Sequence, residues 1–246
     1  MSALSAASLG LIQGLTEFLP VSSSGHLVLA QSLIPGFSQP GVLFDVVLHL
    51  GTLFAVFYYF WKRILKLNRN YLMFLAVGTI PAGAIGFLFQ SRLESMFGDV
   101  KWVAIELIIT GIINLVIDKL PNKTDKISIK NSFLVGISQA IAIIPGISRS
   151  GATIFTGASL GISKREAAEF SFLLSIPAIL GANVLQFMKH GISTDVSLTS
   201  YLLGFVIAFI VGFFSIKLVF KFLAEGKFKI FGIYSIALGI IALIFL

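Results

Sequence analysis

The chain has 246 residues, of which 57% are hydrophobic and 12% charged, about half the charge of a soluble domain at roughly 25%. A water-soluble monomer is excluded, and the absence of cysteine removes disulfides, Cys-zinc sites and thiol chemistry. Lys plus Arg is 18 and Asp plus Glu is 11, and the resulting +7 is gathered into a few clusters between long apolar runs, as in an all-α polytopic membrane protein.

The first element, 7–34, is apolar but interrupted by Pro20-Val21-Ser22-Ser23-Ser24-Gly25. Each half is too short to cross about 30 Å of hydrocarbon and suits a re-entrant helix-turn-helix. No basic residue precedes Lys62, so this segment lacks the charged start of a cleavable signal peptide and is expected to stay in the mature protein. Three spans follow, at about 41–60, 71–89 and 102–118. A second broken hairpin covers 131–162, interrupted at Pro145-Gly146-Ile147-Ser148-Arg149-Ser150-Gly151. Three more spans lie at about 166–188, 198–220 and 228–246. Non-helical backbone at membrane depth requires a polar cavity or protein to satisfy it.

The two halves repeat. An ungapped offset of 126 pairs Gly10, Gln13, Ser22, Ser24 and Gly25 with Gly136, Gln139, Ser148, Ser150 and Gly151, and further along Phe44, Gly78 and Gly86 with Phe170, Gly204 and Gly212. Repeat one runs over about 7–120 and repeat two over about 131–246, within a single integral membrane domain spanning 1–246. Each repeat holds one re-entrant hairpin and three transmembrane helices. Three crossings place the second upside down, an inverted-topology plan with its site near the midplane. The charges agree: one side holds 14 of the 18 basic residues, including Lys62, Arg63, Lys123, Lys164 and Lys227, and the other holds Arg92, Lys101 and Lys189. By the positive-inside rule both termini and the mouth of the first hairpin lie outside the cytoplasm, and the mouth of the second hairpin lies inside. The basic loops read as orientation signals against anionic membrane lipids, with no nucleic-acid partner; a homodimer stays open.

The remaining basic residue, Arg149, sits in the second break. In the first, Gln13 and Glu17 lie four apart on one helical face, followed by Ser22, Ser23, Ser24 and His26. Serines that cap a new helix leave unpaired N–H groups at a positive dipole end, an anion site. Ser148 and Ser150 take the equivalent places in the second break, and Arg149 adds a forked cation suited to phosphate. Glu17 and Arg149 are read as functional, because an ionisable group at membrane depth costs about 2.5–3.5 kcal/mol or more. His49 and His190 are read as structural, Asp45 with His49 as a solvated pair near the outer interface, Glu106 as lying near an outer helix end, and Glu169 as an inner-end residue beside Lys164 and Arg165. Ser23 faces Arg149 under the offset, Glu17 faces Ile143 and His26 faces Ala152, the loss of symmetry expected if one tip supplies nucleophile and base and the other a clamp.

These residues carry a family resemblance. Gln13 through Glu17 and on to His26 resembles the (E/Q)xxxE and PVSSxGH region of the undecaprenyl-diphosphate phosphatase family, the bacitracin-resistance integral membrane type. Pro145 through Thr153 resembles its PGxSRSxxT motif. The resemblance covers the whole chain. It implies hydrolysis of undecaprenyl diphosphate, a polyprenyl diphosphate lipid, to the monophosphate carrier of peptidoglycan and cell-envelope synthesis. It further implies a site open to the outer face of the cytoplasmic (inner) membrane and use of a divalent cation, Mg or Ca, which Glu17 is chemically suited to hold. Type 2 lipid phosphatases share SGH and SR elements. They are disfavoured because no His follows Arg149 before His190 and no Lys or Arg precedes Ser24-Gly25-His26.

The expected mechanism has Arg149 and the tip amides holding the diphosphate while Ser23 attacks the terminal phosphorus. Gln13, Ser22, Ser24, Gly146, Ser148, Ser150 and Thr153 would bind its oxygens. His26 is the nearest base, Glu17 the alternative, and direct attack by water stays open. The competing reading is a transporter or flippase of a polyprenyl phosphate or other anion at the same site.

Overall fold

The computed structural model describes residues 1–35, 37, 43–121, 124, 126–190 and 196–246, with 94, 189 and 190 described by their backbone. The readings of Lys123, of the Lys189 and His190 side chains, and of residues 41 and 42 in the first span lie outside the described residues.

The described chain is helical, with no strand among the described residues. The first apolar segment folds as α1, Ala3–Thr16, and α2, Ser23–Ser32. There follow α3, Leu43–Ile64; α4, Arg69–Leu88; the short α5, Gln90–Met96; and α6, Val100–Ile117. The second broken segment folds as α7, Ile129–Ile141, and α8, Arg149–Ser159. Then come α9, Lys164–His190; α10, Leu198–Ala224; and α11, Lys229–Phe245. Five of these, α3, α4, α6, α9 and α10, are long and apolar enough to cross a membrane. The sixth expected span, α11, has 17 residues.

Polar caps set several boundaries. Ser2, Asn68, Ser128 and Ser197 each accept from a backbone N–H three residues on. Pro81 and Pro177 sit inside α4 and α9, removing a helical hydrogen bond in each.

The α1 helix packs on α10 and α7 packs on α4, while α10 also packs on α3 and α6 on α11. These crossings are close because small residues meet backbone to backbone. A Cβ on Gly10 would lie 2.6 Å from the Gly204 carbonyl oxygen, and one on Gly136 would strike the Gly78 carbonyl oxygen. The central core is aromatic, with Phe18, Phe60, Phe172 and Phe228 buried together and Phe18 edge-on to Phe172 at 5.3 Å. Large apolar side chains such as Trp61, Phe87, Trp102, Leu202 and Phe245 are exposed. A surface of that kind is the mark of an integral membrane protein.

Candidate active site

The two broken segments bring their turns together. Ser24 Oγ lies 3.5 Å from the Gly146 N–H, and Ser150 Oγ donates to the Leu19 carbonyl at 3.2 Å. The α6 helix staples both turns from behind. Thr110 Oγ1 donates to the Gly146 carbonyl and accepts from the Ser148 N–H, each at 2.9 Å, and Asn114 Nδ2 donates to the Pro20 carbonyl. Gly146 has a φ of +98°, and a Cβ there would stand 2.6 Å from Glu106 Cβ and 2.7 Å from the Val103 carbonyl. Only glycine fits that turn against α6.

Ser22 and Ser148 are the N-caps of α2 and α8, their hydroxyls accepting from the Gly25 and Gly151 N–H groups. Ser22 does so at a φ of +68°, a region that costs a non-glycine residue about 1–3 kcal/mol and is typical of functional turns. Ser23 and Arg149 are therefore the first residues of two short helices whose N-termini converge.

Glu17, which closes α1, is the hub of the site. Its Oε2 accepts from Ser23 Oγ at 2.7 Å and from Gln13 Nε2 at 2.9 Å, and lies 3.3 Å from His49 Nε2. Its Oε1 accepts from Arg149 Nη2. Arg149 also donates through Nη1 to the Ser171 carbonyl at 3.3 Å. That leaves further guanidinium donors for a ligand, since Arg carries five N–H groups. A cavity of about 700 Å³ opens over this hub and is lined by Glu17, Ser22, Ser23, Ser24, His49, Ser148 and Arg149. Away from the hub its walls are mainly apolar, with Ala82, Gly83 and Phe87 of α4, Ile143, and Pro177 to Leu180 of α9, interspersed with Thr79, Gln90, Gln139, Asn183 and Gln186.

Some expected ligands lie elsewhere. His26 does not line the cavity: Nδ1 sits 2.7 Å from the Ser22 carbonyl, Nε2 2.8 Å from Tyr234 Oη, and its ring stacks on Tyr234. Both ring nitrogens are thus engaged away from Ser23. Thr153 is buried and bonds Ser171 Oγ at 2.6 Å and the Arg149 carbonyl at 2.7 Å, locking α8 to α9. Ser150 and Gly146 shape the turn from outside the cavity.

Three acidic and histidine readings change. His49 is no isolated structural residue: it hydrogen-bonds the Asp45 carbonyl through Nδ1 at 2.7 Å and presents Nε2 to Glu17. Asp45 is buried, not solvated, and accepts from Gln31 Nε2 at 2.5 Å. Glu106 is buried behind Gly146. Glu169 keeps its place near the start of α9 with Lys164 and Arg165, and in addition pairs with Arg63 of α3, a partner more than 100 residues away that local charge counting does not reveal.

No cluster of three or more His, Cys, Asp or Glu occurs among the described residues. One observation does fit a hard divalent ion. Gln13 Oε1 is buried with no hydrogen-bond partner among the described residues while its Nε2 bonds Glu17, so an oxygen donor stands next to a carboxylate, as such ions prefer.

Residues 6–241 match the family described as Bacitracin resistance protein BacA. The chain belongs to that family. A Campylobacter fetus protein named undecaprenyl-diphosphatase is 41% identical over 260 residues, spanning the whole of both chains. Its namesake from Methanosphaera stadtmanae is 38% identical over 270 residues, covering 98% of this chain and 97% of its own. Undecaprenyl-diphosphatase 4 of Bacillus cereus is 40% identical over 252 residues, 99% and 97% of the two chains.

In this BacA chain the residues that sequence reasoning missed are His49, Thr110, Asn114 and Gln139, all brought in by spanning helices or by the rear of the second hairpin. For His49 a signal existed. The insertion cost that singles out Glu17 applies equally to polar groups at 45 and 49 once their helix is placed at the depth of the turn.

Proposed function

We propose that this chain hydrolyses undecaprenyl diphosphate to undecaprenyl phosphate and inorganic phosphate at the Glu17–Ser23–Arg149 site. The observation that carries the reading is the Ser23 hydroxyl donating at 2.7 Å to Glu17 Oε2 while Arg149 occupies Oε1. A hydroxyl on a carboxylate, under two helix N-termini and beside a guanidinium, is a nucleophile, a base and an anion clamp in one cluster.

The Arg149 donors and the α2 and α8 N-termini hold the terminal phosphoryl group. Ser23 Oγ attacks its phosphorus and passes its proton to Glu17 Oε2. The bond from that phosphorus to the bridging oxygen breaks, and the electron pair leaves on undecaprenyl phosphate. Water then attacks the phosphoserine, the Ser23–phosphorus bond breaks, and the proton on Glu17 returns to Ser23 Oγ. Phosphate departs with both hydrogens of the water. Glu17 takes the part of base in preference to His26, whose ring nitrogens face Ser22 and Tyr234. A bound Mg or Ca ion would be held by Glu17 and Gln13 Oε1 together with diphosphate oxygens, and would neutralise phosphoryl charge.

The architecture is read as an inverted repeat, 7–120 and 131–246, with both termini and the site mouth on the outer face of the membrane. Two matched crossings support it: Gly10 meets Gly204 on α10 as Gly136 meets Gly78 on α4, each pair displaced by 126 from the other. The apolar walls of the cavity are suited to the prenyl chain.

The test is phosphate release from farnesyl diphosphate by purified protein in detergent, where transport has no meaning. Wild-type protein should turn over and Glu17→Gln should fall by about 10³-fold or more, as for loss of a base acting with its nucleophile. No release by protein that still binds the lipid would leave a carrier.

A further inference from the structure

Gln139 lines the same cavity from the last turn of α7 and is 2% exposed. Neither its Nε2 nor its Oε1 meets a hydrogen-bond partner among the described residues. A buried amide whose donor and acceptor meet no protein group is costly unless something else pairs with it, and its place on the cavity wall leaves both available to a group that enters there.

The 126-residue offset shows which partners Gln139 lacks. Gln13, 126 residues earlier, spends its Nε2 on Glu17 at 2.9 Å and reaches Thr52 at 3.5 Å. At the matching places on the other side stand Ile143 and Ala178, and both line the cavity. Gln139 therefore has the amide without the two polar neighbours that its counterpart meets. A residue needed only to fill space would have no reason to remain an amide there.

The surroundings identify the ligand group. A prenyl diphosphate presents, in order, a terminal phosphoryl group, a lipid-attached phosphate and a hydrocarbon chain. The cavity combines the Glu17, Ser23 and Arg149 hub with apolar wall residues such as Phe87, Pro177 and Ala178. Gln139 enters with Ala142 and Ile143 of that apolar wall, on the segment that leads into Ser148 and Arg149.

We propose that Gln139 is a substrate-binding residue that grips the lipid-attached phosphate, its Nε2 donating to a phosphoryl oxygen while the hub holds the terminal group. The assignment rests on the phosphatase reading above. A neutral amide suits this place. It bonds the phosphate that must leave with the lipid without adding a second permanent cation that would retain the product.

The experiment compares wild type with Gln139→Met, similar in length but apolar, in detergent with farnesyl diphosphate as substrate and farnesyl monophosphate or inorganic phosphate as inhibitor. The KM should rise about tenfold, the value of one hydrogen bond to a charged group, with kcat within about threefold. Inhibition by farnesyl monophosphate should weaken by a similar factor, inhibition by inorganic phosphate should be unchanged, and the thermal midpoint should stay level or rise. An unchanged KM, weaker inhibition by inorganic phosphate alone, or a fall in midpoint that accounts for the lost activity would each overturn the assignment. Gln139→Asn, which keeps the amide and shortens its reach, should fall between the two. Wild-type turnover reports separately on the phosphatase reading.

Discussion

Arg149 and Glu17 are 132 residues apart in the chain and joined by a hydrogen-bonded ion pair at the meeting point of two helix turns. The pair is largely shielded, with side-chain exposures of 16% and 4%. Breaking one member strands the other in a setting where an unpaired charge is costly. The pair therefore holds the two turns in register and keeps the guanidinium aimed into the cavity.

Arg149→Lys keeps the charge but loses the fork that reaches Glu17 and Ser171 together. Turnover of farnesyl diphosphate should drop by about 10²-fold or more, the size seen when one donor to a developing anion is removed. Retention of near wild-type kcat would remove Arg149 from the clamp.

His49 contacts Glu17 from α3, so His49→Ala should lower kcat/KM by at least about tenfold, as expected for loss of a hydrogen bond to a charged group. His49→Gln, which can still donate to the carboxylate, should recover part of that loss. Equal activity in both variants would show the contact to be incidental.

The helix crossings predict a matched pair of stability effects. Gly10→Val and Gly136→Val each drive a side chain into a facing backbone carbonyl and should cost about 1–3 kcal/mol or more by overpacking. Gly181→Ala, where an added Cβ meets nothing within 4 Å, should leave the thermal midpoint in detergent unchanged. A large loss in only one of the two crossings would argue against their equivalence.

Topology can be read directly because the chain has no cysteine background. In intact cells a membrane-impermeant thiol reagent should label Ser2→Cys and Arg92→Cys, and should leave Lys66→Cys and Lys227→Cys unlabelled until the membrane is opened. The reverse pattern would invert the orientation drawn from the basic residues.

Much of this was legible in the sequence where the signal is local. The breaks at Pro20 and Pro145, the caps at Ser22 and Ser148, the shared face of Gln13 and Glu17 and the isolation of Arg149 all follow from spacing and residue type. What stayed hidden depends on which helices meet. Hydropathy treats His49, Thr110 and Asn114 as small blemishes on apolar spans, yet each faces a turn or a carboxylate far away in the chain. Thr153 illustrates the converse. Its motif position marks it as a ligand, but helical phase turns it away from the cavity toward Ser171. His26 is a related case, since closeness to Ser23 in sequence says nothing about the Tyr234 ring that meets it from α11.

The most direct test of attack by Ser23 is an acid-quenched single turnover with farnesyl diphosphate labelled in its terminal phosphate, followed by location of the label in the protein. A transient acid-stable phosphoserine should appear at Ser23, formed no slower than phosphate is released and absent in Ser23→Ala. Substantial turnover by Ser23→Ala, or release of labelled phosphate with no protein-bound label at any time, would contradict it.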